Sequence, residues 1–171
     1  MIFTYRPTQP EDRMFIVSGW SSSYRMSRDC TTPMAIYAKQ KHEEIDCHLK
    51  RERVQTLVAE GSVLAGFISF EPRARIVDEY GLVTADFVYY VYVAQPFRRR
   101  GVARGLFGAA GIDPSTRFHY ACRTLGSWEL RDKIPLAHHS PYYARYSPQE
   151  NERNERDHIG KAARRKGRHR G

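Results

Sequence analysis

Val91-Tyr92-Val93-Ala94-Gln95-Pro96-Phe97-Arg98-Arg99-Arg100-Gly101-Val102-Ala103 is the stretch that decides how this chain is read. Strand-forming apolar residues run into Pro96, which cannot donate to a sheet ladder and ends the strand. Arg98, Arg99 and Arg100 make a basic turn, and from Gly101 the small and apolar residues predict a helix. The first N–H groups of such a helix have no internal partner. Together with the helix dipole they form a site for phosphate oxygens. Gly101 and Ala103 let a ligand approach the backbone, and arginines beside it add charge-assisted hydrogen bonds. The stretch is not a Walker loop, since no Gly-Lys-Ser/Thr follows, and it is not G-x-G-x-x-G.

Outward from this motif the chain alternates between strand and helix periods. Toward the N-terminus, Leu82–Ala94 predicts a long strand, Glu71–Gly81 a polar connection containing Pro72, and Val54–Ala59 with Val63–Phe70 a hairpin around Glu60-Gly61-Ser62. Thr32 and Pro33 open a helix to about Arg53, with Ile36, Tyr37, Ile45, His48 and Leu49 near one face. Residues 21–32 read as loop. Thr8–Asp12 starts an earlier helix ending at about Trp20, after an opening strand over 2–6. Toward the C-terminus, Val102–Ala110 is a helix stopped by Gly111 and Pro114, and Phe118–Arg123 is a strand. Residues 127–134 and 140–146 predict short helices. The pattern is a mixed α/β (α+β) domain over 1–148, with a polar, basic tail over 149–171 expected to be disordered.

Val-x-x-Pro-x-Arg-x-x-Gly-x-Ala, Val93 to Ala103 here, resembles the acyl-CoA-binding motif of the GNAT N-acyltransferases. The family pattern is Gln/Arg-x-x-Gly-x-Gly/Ala, and Arg98, Gly101 and Ala103 stand at its fixed positions. The element order from strand 2–6 to strand 118–123 is also similar, and with the later segment ending at Tyr146 the resemblance covers about 145 residues. It implies a mixed, mostly antiparallel sheet with helices on both faces and a V-shaped splay between the long strand and Phe118–Arg123. It implies acetyl-CoA as co-substrate, its pyrophosphate on Arg98, Arg99, Arg100, Gly101, Val102 and Ala103, and its pantetheine arm on strand amides near Tyr92 and Val93. It implies direct attack by an amine acceptor, which the sequence does not name, and leaves room for a homodimer.

By the same resemblance, Tyr143 in Pro141-Tyr142-Tyr143-Ala144-Arg145-Tyr146 is the expected proton donor to the leaving thiolate, with Tyr142 and Tyr146 as competitors. A neutral phenol of ordinary pKa can donate there. For the base, the positions in phase with Val93 are Val91, Tyr89 and Phe87, none of them basic. Asp86 joins them only through a bulge. Asp78 and Glu79, before the strand, and His138 and His139, before the tyrosines, are the other candidates. The chain departs from the family after Tyr146. Ser147-Pro148-Gln149-Glu150 leads into the tail where the family has Gly-Phe and a final strand pair.

Charge and cysteine content narrow the setting. The net charge is +9 over 171 residues, but six of the 28 basic residues lie in 161–171, where no acidic residue falls. The remainder carries only +3. Such a tail attracts polyanions, so the competing reading is a nucleic-acid-associated protein on the same fold, binding or modifying DNA or RNA through 161–171. Cys30, Cys47 and Cys122 exclude a disulfide scaffold and point to a reducing cytoplasm. No C-x-x-C or H-x-x-x-H spacing offers a metal site. The apolar stretches fall short of the roughly 18 residues that span a bilayer, and the opening residues lack the pattern of a signal peptide. Tyr89, Tyr90 and Tyr92 read as core, with base stacking as the alternative.

Overall fold

A computed structural model describes residues 2–26, 30, 33–78, 81–122, 134 and 136–140. Strand β1 (Thr4–Pro7) leads through a short 3-10 turn at Pro10–Asp12 into helix α1 (Arg13–Arg25), and α2 spans Met34–Leu49. Strands β2 (Gln55–Glu60), β3 (Leu64–Asp78) and β4 (Gly81–Val93) follow, then α3 (Val102–Ala109), β5 (Phe118–Tyr120) and β6 (Ala137–His139). The sheet runs in chain order, β1 to β6. β1 to β4 are antiparallel neighbours, while β5 lies parallel to β4 and β6 parallel to β5. This is the mixed, mostly antiparallel α/β sheet that was expected.

Side-chain alternation along the strands builds one core on each face of the sheet. On one face Ile16, Val17 and Trp20 of α1 and Ile45 of α2 pack on Phe67, Phe87, Tyr89 and Tyr90. On the other, Val102 and Leu106 of α3 pack on Ile68, Phe70, Val88 and Phe118. Helices therefore cover both faces. Close contacts set the spacing: a Cβ on Gly105 would overlap the Tyr5 hydroxyl, so α3 is drawn tight onto β1.

Three expectations are corrected. Glu71–Gly81 is not a connection. β3 continues to Asp78 and β4 begins at Gly81, forming a ribbon that outruns β2, whose pairing with β3 ends at Phe70. Pro72 is tolerated because the register slips between Glu71 and Ala74, where Arg73 takes φ 52°. Beyond that bulge Ala74 and Ile76 are buried in alternation with exposed Arg75 and Val77. Residues 21–25, read as loop, extend α1, and the Ser23 hydroxyl bonds back to the Gly19 carbonyl within the helix. The strand expected over 118–123 is shorter, ending at Tyr120. The helices expected over 127–134 and 140–146 lie outside the described residues apart from Ile134 and Ser140, as does the 149–171 tail.

Candidate functional site

β4 and β5 hold together for only three residue pairs, Asp86 with Phe118, Phe87 with His119 and Val88 with Tyr120. One further bond, from the Ala121 N–H to the Val88 carbonyl at 3.0 Å, closes the ladder. Beyond it β4 runs on through Tyr89–Val93 still paired to β3 but, among the described residues, not to β5. That divergence is the expected splay.

A bulge lies at the point of divergence. The β3 register slips between Ser69 and Phe70, so that Tyr90 faces Ser69, Val88 faces Phe70 and Tyr89 is the extra residue. Tyr89 and Tyr90 consequently enter the same core, with Phe87, while Val88 joins Val91 and Val93 on the α3 side. The phase read from sequence is thus corrected: Tyr89 and Phe87 do not share a face with Val93. The bulge does bring Asp86 into that phase, but its Oδ1 accepts the Arg73 N–H at 3.0 Å. Asp78, at the ribbon tip opposite Gly81, is about 23 Å along the strand from Val88 and too far to serve as base.

The peptide groups of β4 alternate. Ala94 gives its N–H to the Ala65 carbonyl at 2.9 Å, which turns Val93 and Val91 toward the open side. The Val93 carbonyl there accepts from Arg98 Nε at 3.1 Å, bracing the turn. By the same alternation Tyr92 points its peptide at β3, and its ring packs against Gly19, where a Cβ would lie 2.8 Å away.

A 3-10 turn at Gln95–Phe97 carries the chain from β4 to the basic turn. Arg99 (φ 62°) and Gly101 (φ 80°) are both left-handed, a geometry that costs an L-residue about 1–2 kcal/mol. Gly101 is the N-cap of α3 and makes no side-chain capping bond. Among the described residues nothing lies within 4 Å of where its Cβ would be. Arg98, Arg99, Arg100 and Arg104 are exposed around this helix end, while the Val102 side chain is buried below it. The motif residues therefore form an open cradle of helix N–H groups beside four exposed arginines. Tyr143, the expected proton donor, lies outside the described residues.

On the opposite face a buried polar chain adjoins the splay. His48 of α2, packed edge-on against Trp20 and Tyr89, shares a 3.1 Å hydrogen bond with the Ser69 hydroxyl, which also accepts from Thr56. The Tyr89 hydroxyl donates to Glu71 Oε2 at 2.7 Å. Burial, with Arg51 and Lys41 nearby, pushes His48 down to about 3, so it is neutral at physiological pH. Burial pushes the Tyr90 phenol up. Of the histidines considered as base, His139 donates Nε2–H to the Ala121 carbonyl at 3.2 Å and His138 stacks on His119. Glu71 escaped the sequence reading because it sat in a segment taken for a solvated connection.

No protein-family model matches the chain, and no curated protein matches it. Solved structures do. A Clostridium acetobutylicum protein described as an acetyltransferase, with acetyl-CoA, shares 13% identity over 77% of this chain and 88% of its own, with TM-score 0.54. A Clostridium difficile 630 protein, described as "a possible acetyltransferase", shares 11% over 80% and 91%, with TM-score 0.53. The aminoglycoside 6'-N-acetyltransferase of Acinetobacter baumannii shares 12% over 78% and 89%, with TM-score 0.50. The chain spans 64% of a Desulfovibrio desulfuricans structure described as GNAT-family, at TM-score 0.42. With its splayed central strands and the cradle after β4, this chain has the fold of the GNAT acetyltransferases.

Proposed function

We propose that the protein is an N-acetyltransferase that passes an acetyl group from acetyl-CoA to an amine. The observation that carries this reading is the cradle: an uncapped helix start behind left-handed Arg99 and Gly101, with three successive arginines, directly after a splayed strand. Exposed N–H groups and guanidinium groups suit a pyrophosphate. The gap beside Val91 and Val93 suits an extended amide-bearing arm, which strand peptide groups bond as a partner strand would.

In the reaction the amine nitrogen forms the new bond to the thioester carbon, and the C–S bond breaks. A β4 peptide N–H facing the gap stabilises the negative charge that develops on the carbonyl oxygen. The amine loses one proton, to water or to a nearby base. The leaving thiolate gains one, and Tyr143 is the side chain assigned to supply it.

Calorimetry with acetyl-CoA tests the reading. Wild type binds, and Arg99→Ala with Arg100→Ala weakens binding at least about tenfold, since charge-assisted bonds are worth about 1.5–3 kcal/mol each. An absence of wild-type binding would falsify the assignment. Equal binding by the double variant would move the site elsewhere.

A further inference from the structure

A small cavity of about 40 Å³ opens between α2 and the sheet, lined by Trp20, Lys41, Glu44, His48, Arg51 and Tyr89, with Ala121 and Cys122 at its β5 end. Ala121 also closes the last β4–β5 rung, so the cavity borders the place where the strands part. Its walls are rich in donors. Trp20 is 6% exposed, and among the described residues its indole Nε1–H has no hydrogen-bond partner. Arg51 is half-buried and makes no ion pair among the described residues. The carboxylate in the wall, Glu44, is already held by Lys41 at 3.0 Å, and the Tyr89 hydroxyl is directed to Glu71. His48 is kept neutral partly by the cations Arg51 and Lys41, an independent sign that the space is electropositive.

An unmet buried N–H and a guanidinium with no ion pair among the described residues, on two residues that line one space, call for an anionic acceptor. The volume holds about three water-sized spheres. That matches the three heavy atoms of a carboxylate and is small for a phosphate. We propose that this cavity receives the carboxylate of the acceptor, so that the amine acetylated is a free amino acid or a close relative. The assignment rests on the acetyltransferase reading above and names its substrate class. A carboxylate held here accepts from Trp20 and pairs with Arg51, and its amine then lies toward the mouth of the splay.

Two measurements test this on the intact chain. In the first, sodium acetate is titrated against sodium chloride at matched ionic strength, following the indole N–H signals. The Trp20 signal shifts saturably while that of Trp128 serves as reference, the His48 pKa rises, and Arg51→Gln removes the shift. In the second, free amino acids are compared with their primary amides as acceptors. The acids are turned over with kcat/KM at least tenfold higher, and Arg51→Gln erases that preference while leaving the KM for acetyl-CoA unchanged. No saturable Trp20 shift overturns the anion site. A shift without acid preference overturns the acceptor assignment but leaves the transferase reading intact. Acetate binding with no acetyl-CoA binding and no turnover of any amine overturns the transferase reading, and the acceptor assignment with it.

Discussion

His48 shows how one residue acquires a chemistry its type does not reveal. Its ordinary pKa of 6.5 falls to about 3 because the ring is buried beside two cations. The unfolded chain therefore binds a proton between pH 6.5 and 3 that the folded chain does not, and stability falls as pH drops through that window. The slope approaches about 1.4 kcal/mol per pH unit. Denaturant titrations from pH 7.5 to 4 should show it, and His48→Leu should flatten it; an unchanged slope in the variant assigns the acid sensitivity to other groups. Tyr143 carries the other prediction at this scale. Tyr143→Phe keeps the ring and removes the proton, so turnover should drop at least about tenfold with acetyl-CoA affinity nearly unchanged. If Tyr142→Phe or Tyr146→Phe loses activity instead, the proton donor is misassigned.

Between elements, glycines decide how close two backbones come, and the same substitution has different consequences at two of them. At Gly105 a Cβ meets the Tyr5 hydroxyl and ring, a side chain that can be removed. At Gly66 it meets the Tyr92 carbonyl oxygen at 2.5 Å, which belongs to the adjoining strand beside the splay. Overpacking typically costs about 1–3 kcal/mol. Gly105→Ala should lower stability by about that much and recover with Tyr5→Ala added. Gly66→Ala should lose at least as much, with no single side-chain truncation restoring it. Thermal melts of the four variants check this, and rescue of Gly66→Ala by Tyr92→Ala would contradict it. The element scale also holds the largest departure from the sequence reading. The 71–78 ribbon arm contains Pro72 and four charged residues, yet Ala74 and Ile76 bury on alternate positions once Arg73 bulges out. Period-two patterning there is interrupted by the bulge itself, so a period count reads it as loop.

For the whole molecule, the two cores need nothing from the C-terminal stretch by composition. Residues 149–171 offer only Ile159 and two alanines as apolar groups. We place the domain boundary at Pro148, and removing 149–171 should shift the melting temperature by no more than a few degrees. A large drop would show that the tail packs. The same truncation measures the tail's charge: salt-dependent binding to RNA or DNA that disappears with it would favour the nucleic-acid reading. Among the described residues no helix is long and apolar enough to cross a membrane.

Local signals determined the order of elements and the cradle. Pro96, the arginine run and Gly101 act through φ, ψ and missing N–H groups, which depend on neighbours in the chain. The long apolar strand and the periodic α2 were legible for the same reason. Tertiary structure alone decided the bulge at Tyr89, since a slip in register is a relation between β4 and β3 and leaves no mark in either strand's own pattern. It alone decided which residues share a face beyond that slip, and so removed Phe87 from the phase of Val93. It alone joined His48 to Ser69, Tyr89 to Glu71, and Trp20 and Arg51 to one cavity. Those groups come from separate elements, and burial, which sets their charge and leaves a donor unmet, exists only after the elements have packed.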